Sequence, residues 1–212
     1  MLNGSMFNEL HRTQLERGLI EMGIELPQAC VGKLMGFLQM LVKWNRVYNL
    51  SAINEPEEMV RLHILDSLAV LPFLQGARCI DVGTGAGLPG IPLAIARDDM
   101  QFSLLDSNSK KTRFIQQVCI ELVLENVLPI HSRIEECLPE QKFDTVTARA
   151  LTDMPGLLLK TRHLLTSGGQ LLAMKSKQTE IIDSPGFQFD SVVSLEIPEL
   201  EATRNLVIYT AV

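Results

Sequence analysis

The chain has little of what several common protein classes require. Its 212 residues include only four cysteines, Cys30, Cys79, Cys119 and Cys137, with no C-x-x-C pair among them. That scatter lacks the spacing of a zinc or iron site. Each cysteine falls in or beside an apolar stretch, so reduced core thiols are expected, and no metal. No apolar run approaches the ~20 residues that cross a bilayer. The polar start (Asn3, Asn8, Glu9, His11, Arg12) does not read as a signal peptide, and the expected location is the cytoplasm. An excess of basic charge is also missing: the net charge is −6, which argues against indiscriminate nucleic-acid binding. It does not exclude an RNA enzyme, because binding depends on where the basic residues lie.

What is present suits one globular domain, or one with a small appendage: 46% of the residues are apolar and the chain is long enough to bury a sizeable core. Residues 1–74 are expected to form a helical extension packed on a second unit at 75–212. Leu10, Leu15, Leu19 and Ile20 make a loose helical stripe that ends at Gly23. Val31, Leu34, Met35, Leu38, Leu41 and Val42 make a stronger one. Trp44, the only tryptophan, is expected to pack this region onto the rest. Glu55-Pro56-Glu57-Glu58 opens a third helix with acidic residues suited to its first turn. On it His63 and Asp66 lie three apart and can share a face. They read either as a hydrogen-bonded pair fixing the helix to the core or as groups facing a ligand crevice.

The stretch Asp81-Val82-Gly83-Thr84-Gly85-Ala86-Gly87-Leu88-Pro89-Gly90 organises the rest of the chain. An apolar run ending at Val82 reads as a buried strand, the glycines force a tight turn, and Ile91 to Ala96 continues as a helix. Strand, turn and helix N-terminus leave N–H groups facing a crevice that suits a nucleotide-like ligand. Gly85, Gly87 and Gly90 satisfy G-x-G-x-x-G, so a dinucleotide is one reading. The carboxylate of Asp81 would repel a pyrophosphate but can hold an ammonium, which favours S-adenosylmethionine. A glycine turn without a ligand is the bland alternative.

Phe102-Ser103-Leu104-Leu105-Asp106 is a second apolar run ending in an acid, at the distance expected of a ribose-binding carboxylate. Asp106, Ser107, Asn108 or Ser109 could instead cap the helix that begins near Lys110. Strands are expected at 78–82, 102–106, 127–131, 143–148, 170–175, 189–197 and 205–211, and helices at 89–97, 109–124 and 154–165. The alternation implies an α/β fold with a mostly parallel, seven-stranded, doubly wound sheet. The connection from Pro198 to Arg204 is too short for a parallel crossover, so the last two strands should pair antiparallel.

Lys43-Trp44-Asn45, Tyr48-Asn49-Leu50, His63-Ile64-Leu65-Asp66-Ser67, Asp81 to Leu93, Leu104-Leu105-Asp106-Ser107 and Arg149-Ala150 occur in that order. Together they resemble the RsmG (GidB) family over nearly the whole chain. The resemblance implies a Rossmann-like class I methyltransferase fold behind a small helical N-terminal region. It also implies methyl transfer from S-adenosylmethionine, leaving S-adenosylhomocysteine, to guanine N7 of 16S ribosomal RNA in the small subunit or its assembly intermediate. The target would be nucleotide G527 of the 530 loop.

On this reading Gly83, Gly85, Gly87 and Leu88 line the methionine and ribose side, Asp81 meets the ammonium, and Asp106 takes the ribose. Ile134 and Glu135 take the adenine, although Glu135 could equally be a helix N-terminal charge. Arg149 stands at the transfer region as a positioning cation, where the bland alternative is a surface ion pair. Lys43, Arg46, Arg61, Lys110, Lys111, Arg113 and Lys175 are candidates for RNA phosphates. No N/D-P-P-Y/F run marks an amino-group methyltransferase, and no cysteine after strands four or five could attack cytosine. Guanine N7 has no proton to lose, so no general base is expected. The alternatives are a methyltransferase acting on another RNA site, a protein or a small molecule, a silent S-adenosylmethionine-binding module, or an NAD-dependent oxidoreductase.

Overall fold

The computed structural model describes residues 6–149, 151–176 and 181–212. Ala150, one of the residues that carry the resemblance, lies outside them. Helix α1 (Glu9–Glu21) starts where the Asn8 side chain accepts from the Leu10 and His11 N–H groups, with His11 Nδ1 accepting from Asn8 N in return. Helix α2 (Gln28–Tyr48) ends on Asn49 in the left-handed region, a conformation that asparagine tolerates. The third helical run is composite: α3 (Pro56–Met59), a π-helical turn at Val60–Leu65, and α4 (Asp66–Leu68).

Seven strands come after these helices: β1 (Arg78–Val82), β2 (Gln101–Asp106), β3 (Val127–His131), β4 (Phe143–Arg149), β5 (Leu165–Lys175), β6 (Phe187–Ser194) and β7 (Asn205–Ala211). Their spatial order is β3-β2-β1-β4-β5-β7-β6, with β7 antiparallel to both neighbours and the other pairings parallel. Helices α5 (Gly90–Ala96), α6 (Ser109–Leu122) and α7 (Met154–Thr161) connect the parallel strands. The strand order reverses at β1, where β2 lies on one side and β4 on the other. The crevice at the carboxyl ends of such strands is where ligands bind in open α/β sheets.

Two apolar clusters fill the two faces of the sheet. The first joins Leu15, Leu38 and Ile64 of the N-terminal helices to Leu93, Phe114 and Leu104. The second joins Ile80, Val146 and Leu171 to Leu157 and Tyr209. Trp44 meets Phe114 of α6 at 5.5 Å between ring centroids, the packing role expected of it.

The sequence reading differs from the structure where α7 ends, where β5 begins and at both ends of β6. The helix expected to run to residue 165 stops at Thr161, whose hydroxyl bonds back to the Leu157 carbonyl. The chain then turns early into β5, whose Gly168 holds a φ of +78°. Strand β6 begins and ends earlier than expected, because Gly186 turns the chain just before it.

Candidate active site

Asp81 is fully buried beneath the glycine turn. Its carboxylate accepts from Thr84 Oγ1 at 2.5 Å, from Gly90 N at 3.0 Å and from Thr147 Oγ1 on the neighbouring strand at 3.1 Å. It therefore ties the turn to α5 and β4, and the expectation that it meets a ligand ammonium is corrected: Asp81 has no exposed surface and does not line the crevice above it. Burial pushes its pKa up to about 6, opposed by those three hydrogen bonds and the Arg149 charge. A Cβ on Gly90 would overlap Leu104 and come within 2.9 Å of Asp81 Oδ2, so close packing demands the glycine there.

Gly83, Gly85 and Gly87 all have positive φ, near +60° to +80°, which a side chain would strain. They do not share one role. Gly83 lines a crevice of about 330 Å³ at the carboxyl ends of β1, β2 and β4. Gly85 N donates to Asp106 Oδ2 at 2.9 Å. Gly87 packs against Ile91, and Leu88 is buried in the core, so neither lines that crevice. The turn needs these two residues for its shape.

Asp106 lies on the crevice wall and also accepts from Asn108 N at 2.8 Å. The cap of α6 is Asn108, whose side chain accepts from Lys110 N at 2.9 Å, leaving Asp106 to the crevice. Ile134 gives the same wall an apolar patch. Glu135 stands on its exposed rim, paired with Lys160 at 2.7 Å; that bond and a backbone hydrogen bond hold its carboxyl below the usual range.

Lys111, expected among the candidates for RNA phosphates, reaches Asp106 at 3.5 Å on the crevice wall. Three of the four crevice cations, Lys111, Lys160 and Arg149, are thus already paired with Asp106, Glu135 and Asp66, and the fourth, Arg133, is exposed on the rim. A carboxylate, an apolar wall and cations mostly paired with internal carboxylates make a crevice better suited to a ligand without phosphate, such as S-adenosylmethionine, than to a dinucleotide.

Arg149, at the end of β4, also lines a second cavity of about 340 Å³. Its guanidinium donates to the Leu62 carbonyl at 3.1 Å and to Asp66 Oδ2 at 3.1 Å, while Arg204 Nε donates to Asp66 Oδ1 at 2.9 Å. His63 and Asp66 are not bonded to each other, contrary to the paired reading. His63 Nε2 instead shares a 2.9 Å hydrogen bond with Ser51 Oγ, whose backbone is clamped by the Asn45 side chain. Burial, aided by the Arg149 charge, pushes the His63 pKa down to about 4, so the ring is neutral near pH 7. A π-helical turn carries Leu62 and His63, a local widening that often accompanies functional sites. Sequence reasoning missed Arg204, which carries no local signal beyond preceding a strand.

The remaining basic candidates separate. Lys43, Arg46, Lys110 and Arg113 are exposed. Arg61 donates to the Glu199 carbonyl at 3.1 Å, and Lys175 to the Thr152 carbonyl at 2.6 Å beside the second cavity; burial lowers the Lys175 pKa. Among the described residues no cluster of three or more metal-ligating side chains occurs, all four cysteines are free, and no helix is long and apolar enough to cross a membrane.

Among known proteins, residues 31–207 match the family model GidB, described as rRNA small subunit methyltransferase G. The chain is similar to ribosomal RNA small subunit methyltransferase G of Chromobacterium violaceum, 46% identical over 93% of this chain and 97% of that protein. The protein of the same name from Serratia proteamaculans is 48% identical over 89% and 94%. Among solved structures, a SAM-dependent methyltransferase from Aquifex aeolicus matches with a TM-score of 0.56 at 20% identity, covering 72% of this chain and 93% of that one. The N-methyltransferase NodS from Bradyrhizobium japonicum, in complex with S-adenosyl-L-homocysteine, matches with a TM-score of 0.56 at 12% identity, covering 80% and 98%. These structural likenesses establish the fold.

Proposed function

The chain belongs to the rRNA small subunit methyltransferase G family, and on that premise we propose that it methylates guanine N7 of 16S ribosomal RNA, at G527 of the 530 loop, using S-adenosylmethionine. The observation that carries this reading is the pair of cavities sharing Arg149, one edged by Asp106 and the glycine turn, the other by Asp66 and Arg204. A donor and an acceptor seated in adjoining cavities meet at one wall, which is the alignment that methyl transfer requires.

In this assignment Gly83, Gly85, Asp106 and Ile134 hold the cofactor, with Glu135 at the adenine rim. When bound, S-adenosylmethionine supplies an electrophilic methyl group on a sulfonium. Asp106 fixes the ribose, and its bonds to Gly85 N and Asn108 N hold the turn in place around it. Arg149 orients the transfer region and stays protonated throughout the working pH range. Guanine N7 attacks with an in-plane lone pair and carries no proton, so no residue accepts one. The His63 pKa, held down near 4, makes that ring a poor proton acceptor and agrees with that demand. The cytoplasm, where ribosomal subunits are present, is the compartment this reading implies.

The test is transfer of a radiolabelled methyl group to small subunits lacking the modification, with nucleoside analysis of the product. Labelled 7-methylguanosine in the 530 loop is expected. Label in another nucleoside, or none in RNA, would overturn the proposal.

A further inference from the structure

The second cavity carries an inference that rests on the reaction proposed above. Its volume of about 340 Å³ lies at the small end of ligand pockets, which run from about 300 to 1,000 Å³. Such a space admits one nucleoside and not a paired helix. Ile53, Leu62 and Met174 offer apolar surface to the faces of a ring, while Asp66, Arg149 and Arg204 offer charge to its edges. The Asp66 carboxylate is almost fully buried, with one arginine on each oxygen. A carboxylate has about four acceptor directions, so each oxygen keeps one beyond its arginine.

We infer that this cavity receives the acceptor guanine turned out of its strand, with Asp66 accepting from the N1–H and N2–H groups, Arg149 beside it donating to O6, and the N7 lone pair left free for the methyl group. Guanine alone among the bases sets two adjacent donors, N1–H and N2–H, beside the acceptor O6, an array complementary to a carboxylate paired with an arginine. Adenine would put its N1 lone pair against the carboxylate. A base approached in this way must leave its stack, as in other enzymes that do chemistry on a base.

The surroundings provide a route for the rest of the strand. A cavity of about 610 Å³, lined in part by Arg46, Asn49 and Asn54, shares Ile53 with the base cavity. Exposed Arg46 is placed there to meet a flanking phosphate. Arg204 acts through Asp66 and is a positioning residue, since it holds the carboxylate opposite Arg149.

The experiment uses the full-length protein and reconstituted small subunits carrying guanosine or inosine at the target position, in single-turnover methyl transfer at saturating S-adenosylmethionine. Inosine lacks only the N2 amine. The wild type is expected to prefer guanosine by roughly 10- to 100-fold, the discrimination of one lost hydrogen bond to a charged group. Asp66→Asn should transfer slowly and at similar rates to both. Arg204→Gln, which keeps the carboxylate and changes a partly exposed side chain, should lower the rate on guanosine and narrow the ratio. Its affinity for S-adenosylhomocysteine should be unchanged, so it also covers the case in which Asp66→Asn does not fold. Equal wild-type rates on the two subunits, or a full guanosine preference in Arg204→Gln, would overturn the assignment. A wild type that forms no 7-methylguanosine on guanosine subunits would overturn the reaction itself, and this inference with it.

Discussion

Arg149 and Asp66, 83 residues apart in the chain, meet at 3.1 Å across the wall between the two cavities. The ion pair joins the parallel sheet to the N-terminal helices at the point where donor and acceptor would meet. Asp66 is nearly fully buried, so loss of Arg149 leaves its charge to Arg204 alone, which is more costly than loss of a surface pair. Arg149→Ala is therefore expected to destabilise the fold by about 2 kcal/mol, the worth of one hydrogen bond to a charged group, and to slow methyl transfer as well. Urea denaturation alongside single-turnover rates would separate the two effects, and an unchanged denaturation midpoint would contradict the buried-pair account.

The base-free mechanism predicts a pH profile. With RNA and S-adenosylmethionine saturating, the single-turnover rate should be nearly flat from about pH 6 to 9. His63, held near pKa 4, does not titrate in that window. A quenched time course at each pH checks this; a unit-slope rise near neutrality, removed by His63→Gln, would make His63 a base and reopen the choice of target atom.

Asp106→Ala should weaken S-adenosylmethionine binding by about 2–3 kcal/mol, from two lost ribose hydrogen bonds at roughly 1–1.5 each. The structure adds a second consequence. Asp106 also anchors Gly85 N and Asn108 N, so the folded protein should lose about 1–2 kcal/mol even without ligand. Calorimetric titration and denaturation measured together test both parts, and unchanged cofactor affinity would remove Asp106 from the site.

Lys110 and Lys111 are neighbours with different expected roles. Lys110 is exposed, whereas Lys111 is paired with Asp106. Lys110→Gln should flatten the salt dependence of RNA binding by about one log–log unit and leave the cofactor alone. Lys111→Gln should alter S-adenosylhomocysteine affinity with little change in salt slope. The reverse pattern would return Lys111 to the RNA face.

Two buried groups pull stability in opposite directions with pH. The folded pKa of Asp81, about 6, lies above its ordinary 3.8, so its contribution is present below about pH 4 and lost as pH rises through 6. Relative to Asp81→Asn, the wild type should lose about 3 kcal/mol between pH 4 and 7. The folded pKa of His63, about 4, lies below 6.5, so its contribution is present above pH 6.5 and lost as pH falls through 4. Relative to His63→Gln, the wild type should lose about 3 kcal/mol over that fall. Denaturation of the three proteins across pH gives both differences, and parallel curves would refute the burial argument.

Much of the cofactor side was legible in the residues because it is built from short-range features. Glycines that need positive φ, an acid at the end of β1 and another at the end of β2 all fall within 26 positions, from Asp81 to Asp106. Backbone sterics and strand polarity then bring the turn and Asp106 to one crevice. The alternation of strands and helices was legible for the same reason, and the short final connection required an antiparallel pair.

Which way each side chain faces was decided by tertiary structure. Asp81 reads as a ligand carboxylate until the β1–β4 register sets it opposite Thr147, and the turn folds Thr84 and Gly90 onto it. Leu88 reads as a crevice residue until the turn directs it into the core. Arg204 has no local pattern at all. It reaches Asp66 because β7 inserts between β5 and β6, bringing residue 204 beside a helix 138 positions earlier. Hydrophobic periodicity encodes which face of an element is buried, but not which distant charge will neutralise a carboxylate there. That choice is made by burial itself, which makes an unpaired Asp66 too costly to keep and so couples the N-terminal helices to the last strand.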